Sequence, residues 1–263
     1  MAKYVVIDFS EIFFTCVFSN WRMKHTPGMR FVMGIEWLVL RKLFSYTKAY
    51  PDHKIMLMAD GTQSWRKEVY PEYKANRKVQ RDKYEDIDWA DIFTKYSQML
   101  SALDMYTPMN VYRDDLLEAD DLEAVLAKDG AEIVLFSSDK DLNQLAIYPN
   151  VTLISPKVKK VKNKFVTRVI SDPYKELNKL VKSGDKADNV PPAKTEAQAL
   201  INNKIVNLIT LPPEIEARAR SVLQQKHVKS INPEMFYELY PLSFIPGELT
   251  MLCEAQAQIV EDK

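Results

Sequence analysis

Short apolar runs alternate, along the first two thirds of the chain, with longer segments in which apolar residues recur at helical spacing. Runs that are apolar throughout are typical of buried parallel strands, and the wider spacing indicates amphipathic helices. The predicted strands are residues 3–8, 54–60, 106–112, 132–136 and 150–154. The predicted helices are residues 30–50, 87–103 and 118–128. Strands separated by helices predict an α/β fold with a mostly parallel twisted sheet flanked by helices.

Beyond residue 172 the pattern is helical and is repeatedly interrupted by prolines, which favours a smaller helical domain. We therefore expect an α/β core at residues 1–170 and a C-terminal helical domain at residues 171–263. No apolar run approaches the roughly 20 residues that span a bilayer, so a membrane partner is not expected. The two cysteines, Cys16 and Cys253, form no CxxC motif, and a reducing cytoplasm is the expected location.

Charge is segregated along the chain although the net charge is zero. Residues 66–83 contain seven Lys or Arg against three acids, and residues 157–168 contain six and no acid. Residues 114–123 contain six acids and no base. A solvated face explains any one run, but three segregated runs favour a protein that binds a phosphate backbone and presents a chelating pocket to it.

Acidic residues follow three of the apolar runs, at Asp8, Asp60 and Asp139. Further acids stand at Glu118, Asp120, Asp121, Asp141, Asp185 and Asp188. Groups just past the carboxyl ends of strands in an open α/β sheet converge on one crevice, where so many carboxylates repel one another unless cations lie between them. Each acid alone could be a turn residue or a helix cap. Their recurrence predicts a site for hard divalent metals and phosphate chemistry.

Several of these segments resemble the motifs of one family, the 5′-nuclease (flap endonuclease) superfamily. Its acidic motifs are similar to Phe136-Ser-Ser-Asp-Lys-Asp-Leu-Asn-Gln-Leu145, Glu118-Ala-Asp-Asp121 and Gly184-Asp-Lys-Ala-Asp-Asn189. Its basic segment after the second strand is similar to Tyr70-Pro-Glu-Tyr-Lys-Ala-Asn-Arg77. The resemblance covers most of residues 1–190 and implies a PIN-like nuclease core.

The resemblance implies two Mg²⁺ ions, with Mn²⁺ as a substitute. The first ion would be surrounded by Asp8, Asp60, Glu118, Asp120, Asp121 and Asp139. The second would be surrounded by Asp139, Asp141, Asp185 and Asp188, in both cases partly through water. Such a pair of ions activates a water and stabilises both oxygens of an in-line displacement at phosphorus.

The resemblance also implies that Lys74 and Arg77 are catalytic and stabilise charge on the scissile phosphate. Residues 62–95 would form an arch for a single-stranded 5′ end, with Tyr73 or Tyr70 stacking on a terminal base. The alternative is a solvated basic helix. The expected nucleic-acid-binding residues are Arg66, Lys67, Tyr70, Tyr73, Lys74, Arg77, Lys78, Arg81, Lys83, Lys157, Lys159 and Lys160.

The implied function is that of a Mg²⁺-dependent 5′→3′ exonuclease and flap endonuclease, which removes RNA primers and 5′ flaps during lagging-strand replication. The implied partners are DNA and RNA–DNA hybrids with 5′ ends or flaps, a single-stranded-DNA-binding protein and a sliding clamp. If the protein is phage-encoded, its location is the host cytoplasm. Two alternatives stay open, a PIN-type endoribonuclease and a non-catalytic nucleic-acid-binding subunit. The basic insert and the helical tail favour the replication nuclease.

Overall fold

The computed structural model describes residues 3–29, 33–156 and 165–261 of the chain. Within these residues, a five-stranded sheet in the order β3-β2-β1-β4-β5 forms the centre of the molecule. Its strands are β1 Lys3–Asp8, β2 Lys54–Ala59, β3 Asn110–Arg113, β4 Glu132–Phe136 and β5 Val151–Ile154. Every neighbouring pair of these strands is parallel. The predicted α/β fold with a parallel sheet is therefore confirmed.

Helices surround the sheet and continue to the C-terminal end of the described chain. They are α1 Phe9–Lys24, α2 Ile35–Thr47, α3 Arg66–Val69, α4 Asn76–Arg81, α5 Trp89–Tyr106, α6 Ala119–Lys128, α7 Pro173–Ser183, α8 Glu196–Val206, α9 Pro213–Leu223, α10 Pro233–Leu239 and α11 Ile245–Glu261. A 3₁₀ helix covers Asp141–Ile147. None of the helices in the described ranges combines the length and apolarity that crossing a bilayer requires.

Side chains that alternate along each strand build one apolar core on each face of the sheet. Ile7 and Leu57 point into the core under α1, α2 and α5. Met58 and Leu135 point into the core under α6 and α9. Helices from the C-terminal third contribute to both cores, since Leu249 of α11 lies in the first and several apolar residues of α9 lie in the second.

The starts of two elements differ most from the sequence prediction. The strand predicted from residue 106 begins at Asn110, because α5 continues through Tyr106. Pro108 disfavours helical backbone at the preceding Thr107, which is extended, and so ends the helix there. The predicted helix at residues 30–50 begins at Ile35, directly after its N-cap Gly34.

Helix α1 was not predicted, because further apolar residues such as Phe14 and Phe18 lie outside its buried face and make the helical period less distinct. Phe9, Ile12, Phe13, Cys16 and Val17 are all buried. The helix begins directly after β1, so it starts at the edge of the sheet where the strand-end acids lie.

Candidate active site

The central three strands carry acids at the same edge of the sheet. Strand β1 lies between β2 and β4, and Asp8, Asp60 and Asp139 stand at or just beyond the carboxyl ends of these strands. Asp8 ends β1 and caps α1, because its Oδ1 accepts the Glu11 N–H at 2.8 Å. Asp60 accepts the Ala119 N–H at 3.0 Å and is thereby held against the start of α6. The strand order changes direction at this point, which is where open α/β sheets bind ligands.

The first turn of α6 brings two more carboxylates to the crevice. Glu118 is the N-cap residue and is 3% exposed. Asp120, two residues further on, is close enough to Asp139 for their charges to interact. Acids in a first helical turn are also favoured by the helix dipole. The same residues therefore stabilise the start of α6 and place carboxylate oxygens at the crevice.

The remaining acids come from two loops. Asp139 and Asp141 follow β4, and the Asp139 Oδ1 accepts the Asp141 N–H at 2.9 Å. Asp185 and Asp188 lie in the turn after α7, where Asp185 accepts the Ala187 N–H at 2.7 Å. A narrow pocket, here called the acidic pocket, is lined by Asp120, Asp141, Asp185 and Asp188, and Arg66, Tyr73 and four apolar residues complete its lining. The structure therefore brings the two loops and α6 together.

Two basic residues form ion pairs at the rim of this pocket: Lys74, just before α4, and Arg77, in its first turn. The Lys74 Nζ lies 2.8 Å from the Glu118 Oε2 and 3.6 Å from the Asp188 Oδ2. The Arg77 Nη2 lies 2.7 Å from the Asp188 Oδ1. Lys74 is largely buried, whereas the side chain of Arg77 is 47% exposed. The predicted basic pair is therefore adjacent to the predicted metal ligands.

Backbone contacts hold this basic segment on the turn after α7. The Lys74 N–H donates to the Asp188 carbonyl at 2.9 Å, and Asn189 donates through its side chain to the Glu72 carbonyl at 2.7 Å. Lys74 and Asn189 both have positive φ, 57° and 61°. Such backbone is uncommon for residues other than glycine and persists where surrounding contacts enforce it.

Burial and crowding shift the pKa values of the carboxylates upward. Burial, followed by the charges of Asp139 and Asp120, raises the pKa of Asp141 to about 9. Burial raises the pKa of Asp120 to about 8, although Arg66 opposes the shift. Burial is also the main cause that raises the pKa values of Asp8 and Asp139.

Glu118 is the exception among these carboxylates. Burial disfavours its charge, but the adjacent Lys74 and Arg66 outweigh that effect and lower its pKa to about 2. The crevice therefore contains two carboxylates with adjacent cationic partners, Glu118 and Asp188, and others, such as Asp120 and Asp141, whose negative charge is not offset in this way.

These donors fit hard divalent cations. Their ligand atoms are all oxygen, the set that Mg²⁺ prefers. The raised pKa values of Asp120 and Asp141 show that burial and neighbouring carboxylates disfavour their charged forms, which a bound cation would stabilise. Among the described residues, no three acidic, histidine or cysteine side chains already form a ready ligand set for one ion. Asp8, Asp60, Glu118, Asp120 and Asp139 could hold one ion, and Asp139, Asp141, Asp185 and Asp188 a second.

Asp121, which the resemblance places among the metal ligands, is bonded to other groups of the protein in this structure. It is fully buried on the side of α6 that faces Arg66. Its two oxygens accept from Arg66 at 2.8 and 3.0 Å, and Oδ2 also accepts from Trp65 and from the Glu118 N–H. Both oxygens are therefore engaged within the protein.

Two of the predicted nucleic-acid-binding residues, Arg66 and Tyr73, are buried and paired within the protein. Arg66 is 2% exposed and, besides Asp121, donates to the Ile205 carbonyl at 2.9 Å. Tyr73 is 3% exposed, and its hydroxyl lies 3.0 Å from both the Glu118 Oε2 and the Asp188 Oδ2. Neither side chain is accessible to a DNA backbone or base, because each is used to position the acids.

The remaining predicted nucleic-acid-binding residues differ in exposure, and three of them lie outside the described part of the chain. Lys67, Lys78 and Lys83 are exposed, and Tyr70 and Arg81 are half-buried. Arg81 lies over the rings of two aromatic residues in α5. Lys157, Lys159 and Lys160 lie outside the described residues.

Sequence reasoning missed Glu11 and Glu123, which lie beside the crevice. Glu11 accepts hydrogen bonds from Ser137 and Ser138, just before Asp139. Glu123 is 1% exposed, neither of its carboxylate oxygens has a hydrogen-bond partner, and burial followed by the charge of Asp8 raises its pKa. Glu123 stands in the acidic run of α6, but no local signal marks it as inward-facing. Glu11 carries no signal beyond following Asp8 by three residues.

Comparison with known proteins agrees with this geometry. A family model described as 5′-3′ exonuclease, N-terminal resolvase-like domain, matches residues 3–173. Ribonuclease H of Enterobacteria phage T4 is 33% identical over 199 residues, which are 73% of this chain and 63% of that protein. DNA polymerase I of Streptococcus pneumoniae is 27% identical over 206 residues, 72% of this chain and 22% of the polymerase. The chain thus matches less than two thirds of the length of either relative.

Solved structures share the fold. The bacteriophage T5 D15 protein, crystallised with metal ions, aligns with a TM-score of 0.58 at 15% identity. The alignment covers 95% of this chain and 99% of the D15 chain. The D15 flap endonuclease in complex with DNA and metal ions aligns with a TM-score of 0.59 at 16% identity and the same coverage. With the family match, these likenesses confirm the resemblance carried by the acidic and basic motifs. The chain belongs to the 5′-3′ exonuclease family, within the 5′-nuclease (flap endonuclease) superfamily of nucleases.

Proposed function

We propose that this chain is a Mg²⁺-dependent 5′→3′ exonuclease and flap endonuclease that hydrolyses phosphodiester bonds through two metal ions. The observation that carries the proposal is the contact of Lys74 and Arg77 with Glu118 and Asp188 at the rim of the acidic pocket. This arrangement offers oxygen ligands for metal ions and fixed cations for phosphate within one crevice. Mn²⁺ would substitute for Mg²⁺, since both accept oxygen ligands.

The chain's own residues supply orientation and charge around the ions. Bound there, divalent ions lower the pKa of a water and stabilise the attacking and leaving oxygens. Asp139 belongs to both proposed ligand groups, and its contact with the Asp141 N–H fixes the positions of these two aspartates relative to each other. Asp8, Asp60, Glu118 and Asp120 come from strand ends and the start of α6, which hold them more rigidly than free loops would.

Lys74 and Arg77 would act as fixed cations on the phosphate. The pKa of Lys74 is raised by Glu118 and Asp188, even though burial opposes the shift. Lys74 therefore stays protonated and serves as a charge donor, not as a general base. The guanidinium of Arg77 is more exposed and can donate to two phosphate oxygens at once.

The substrates we propose are DNA and RNA–DNA hybrids with 5′ ends or flaps, and the process is removal of RNA primers and flaps in lagging-strand replication. Residues 62–95 would guide the single-stranded 5′ end, with exposed Lys67, Lys78 and Lys83 along the phosphates. The helical part at residues 171–263 would hold the duplex. A single-stranded-DNA-binding protein and a sliding clamp are the proposed replication partners.

Cleavage of a 5′-labelled flap duplex, with Mg²⁺ or with EDTA, tests this function. We expect short 5′ products only with Mg²⁺, and Asp139→Asn should lower turnover by orders of magnitude while DNA binding is retained. The matched control is Asp104→Asn, which alters a carboxylate between α5 and β3, away from the crevice.

Three results would point elsewhere. Cleavage confined to single-stranded RNA would indicate a PIN-type endoribonuclease. Binding of the flap without any cleavage would indicate a non-catalytic subunit. A wild-type rate in Asp139→Asn would contradict the two-metal assignment.

A further inference from the structure

Glu11, in the first turn of α1, is bonded to the loop that carries two of the proposed metal ligands. Its Oε2 accepts the Ser137 hydroxyl at 2.6 Å and the Ser138 N–H at 2.8 Å. Its Oε1 accepts the Ser138 hydroxyl. These contacts join residues 126 and 127 positions apart in the chain. Three hydrogen bonds to two successive residues make this a firm attachment.

The hydrogen-bond chain continues from Glu11 into the crevice. The Asp139 N–H donates to the Ser137 Oγ at 3.0 Å, and the Asp141 N–H donates to the Asp139 Oδ1 at 2.9 Å. Ser137 is fully buried, so water does not compete for its hydroxyl. The orientation of both aspartates therefore depends on where Glu11 holds the loop.

Glu11 is attached at its other end to Asp8. The Glu11 N–H donates to the Asp8 Oδ1 at 2.8 Å, the contact by which Asp8 caps α1. One residue thus contacts Asp8 through its backbone and the Asp139 loop through its side chain. An ordinary acid in a first helical turn interacts with its own helix dipole, but this carboxylate is turned to another element.

We propose that Glu11 is a positioning residue that sets the separation between Asp8 and the Asp139–Asp141 pair. The inference rests on the proposed function, in which these acids hold two metal ions. Glu11 itself is not assigned to a metal or to the substrate. Groups that orient metal ligands typically change metal affinity or activity by about 10–100-fold when they are removed.

Two substitutions at Glu11 separate positioning from charge. Glu11→Ala removes all three side-chain contacts, and we expect kcat to fall and the Mn²⁺ dissociation constant to rise by about 10–100-fold each. Glu11→Gln keeps an acceptor for Ser137 and the Ser138 N–H, and its amide can donate to the Ser138 hydroxyl. We therefore expect near wild-type values for Glu11→Gln, with KM for the flap duplex little changed in both variants.

The experiment uses the full chain and three measurements: Mn²⁺ binding without DNA by electron paramagnetic resonance, kcat and KM on the flap duplex, and thermal unfolding. Asp104→Asn is the matched control, because it also alters a carboxylate that joins two elements, α5 and β3. It should lower the melting temperature and leave Mn²⁺ binding unchanged. If Glu11→Ala fails to fold, Ser137→Ala tests the same connection, with the same expected rise in the Mn²⁺ dissociation constant.

Two outcomes would overturn the inference. Wild-type Mn²⁺ affinity and kcat in the folded variant that lacks the connection would mean that the contact serves stability alone. Equal damage in Glu11→Gln and Glu11→Ala would mean that the negative charge matters, not the position. Asp139→Asn in the same assays distinguishes failure of the positioning role of Glu11 from failure of the proposed nuclease function. If it is inactive while Glu11→Ala is normal, only the positioning role fails; if it is as active as wild type, the proposed function fails.

Discussion

Arg66 is the residue on which the buried electrostatics depend. Its guanidinium donates to Asp121 at 2.8 and 3.0 Å and contacts Glu118 at 3.4 Å, with no appreciable access to solvent. The pKa of Arg66 is raised by Asp121 and Glu118 against the opposing effect of burial. The same contacts hold the start of α6, and therefore Asp120, against the crevice.

Arg66→Met should destabilise the protein strongly. It would leave Asp121 and Glu118 buried with less compensation, and breaking such a pair typically costs about 3–5 kcal/mol. Urea unfolding followed by circular dichroism measures the change. The matched control is Lys67→Met at the next, exposed position, which should change the free energy of unfolding by less than about 0.5 kcal/mol. Equal effects of the two substitutions would contradict the structural role of Arg66.

Lys74→Ala should lower the rate of the chemical step more than substrate affinity. The loss of a fixed cation beside the scissile phosphate typically costs about 10²–10³-fold in kcat. Glu118 would keep Arg66 and Tyr73 as partners, so the acids should stay in place. Single-turnover cleavage and flap binding measure the two quantities separately, with Lys78→Ala as the exposed basic control. A change confined to affinity would mean that Lys74 serves substrate binding and not the chemical step.

At the scale of elements, the acidic crevice depends on a connection between distant segments. The turn after α7 presents Asp185 and Asp188 to the crevice, while Lys74 and Asn76 bond to its backbone carbonyls. Gly184 opens this turn with φ of 65°. A Cβ at Gly184 would lie 2.2 Å from the Val190 carbonyl oxygen, which is closer than atoms can approach.

Gly184→Ala should therefore destabilise the turn and weaken metal binding through Asp185 and Asp188. Gly130→Ala is the matched control, because its φ is 82° but a Cβ there would meet no atom within 4 Å. The control should cost only the left-handed strain of about 1–2 kcal/mol, with unchanged Mn²⁺ affinity. Urea unfolding and Mn²⁺ titration measure both effects. Identical losses of stability and affinity in the two variants would contradict the steric argument.

At the scale of the whole molecule, a net charge of zero conceals an acidic crevice bordered by basic segments. Attraction between the two explains why Lys74 and Arg77 lie against Glu118 and Asp188. The acids that lack such partners carry the raised pKa values. Stability should therefore depend on both pH and divalent cations.

In EDTA, stability should fall as pH rises from about 4 to about 9. Asp120 and Asp141 bind protons in the folded state up to pKa values of about 8 and about 9, whereas the unfolded chain releases them near 3.8. The folded state thus holds more protons in this window, and the slope of stability against pH is negative. Glu118, with its pKa lowered to about 2, gives the opposite slope only in more acidic solution.

Mg²⁺ should reverse this trend, because it binds the deprotonated carboxylates of the folded state. Urea unfolding at several pH values, with Mg²⁺ or EDTA, measures both slopes. Asp141→Asn should flatten the profile in EDTA. A profile in EDTA that is already flat for the wild-type chain would contradict the shifted pKa values.

Much of the architecture follows from local sequence properties. Apolar runs of strand length require burial on both faces, and helices between them lead to a parallel sheet. Strand ends then meet at one edge, which is why Asp8, Asp60 and Asp139 were correctly expected together. Boundaries were less predictable, as at Asn110, because a proline and the packing of α5 decide where the helix ends.

The sequence by itself determined the sheet, the shared edge of the acids and the proximity of a basic segment, since these follow from periodicity, chain direction and charge. Only the tertiary structure decided which acids face the crevice. Asp120 and Asp121 are adjacent in sequence, yet one lines the acidic pocket and the other is fully paired with Arg66. Likewise Glu11 meets its partners 126 positions later in the chain. Such contacts depend on how separate elements pack, which no local pattern specifies.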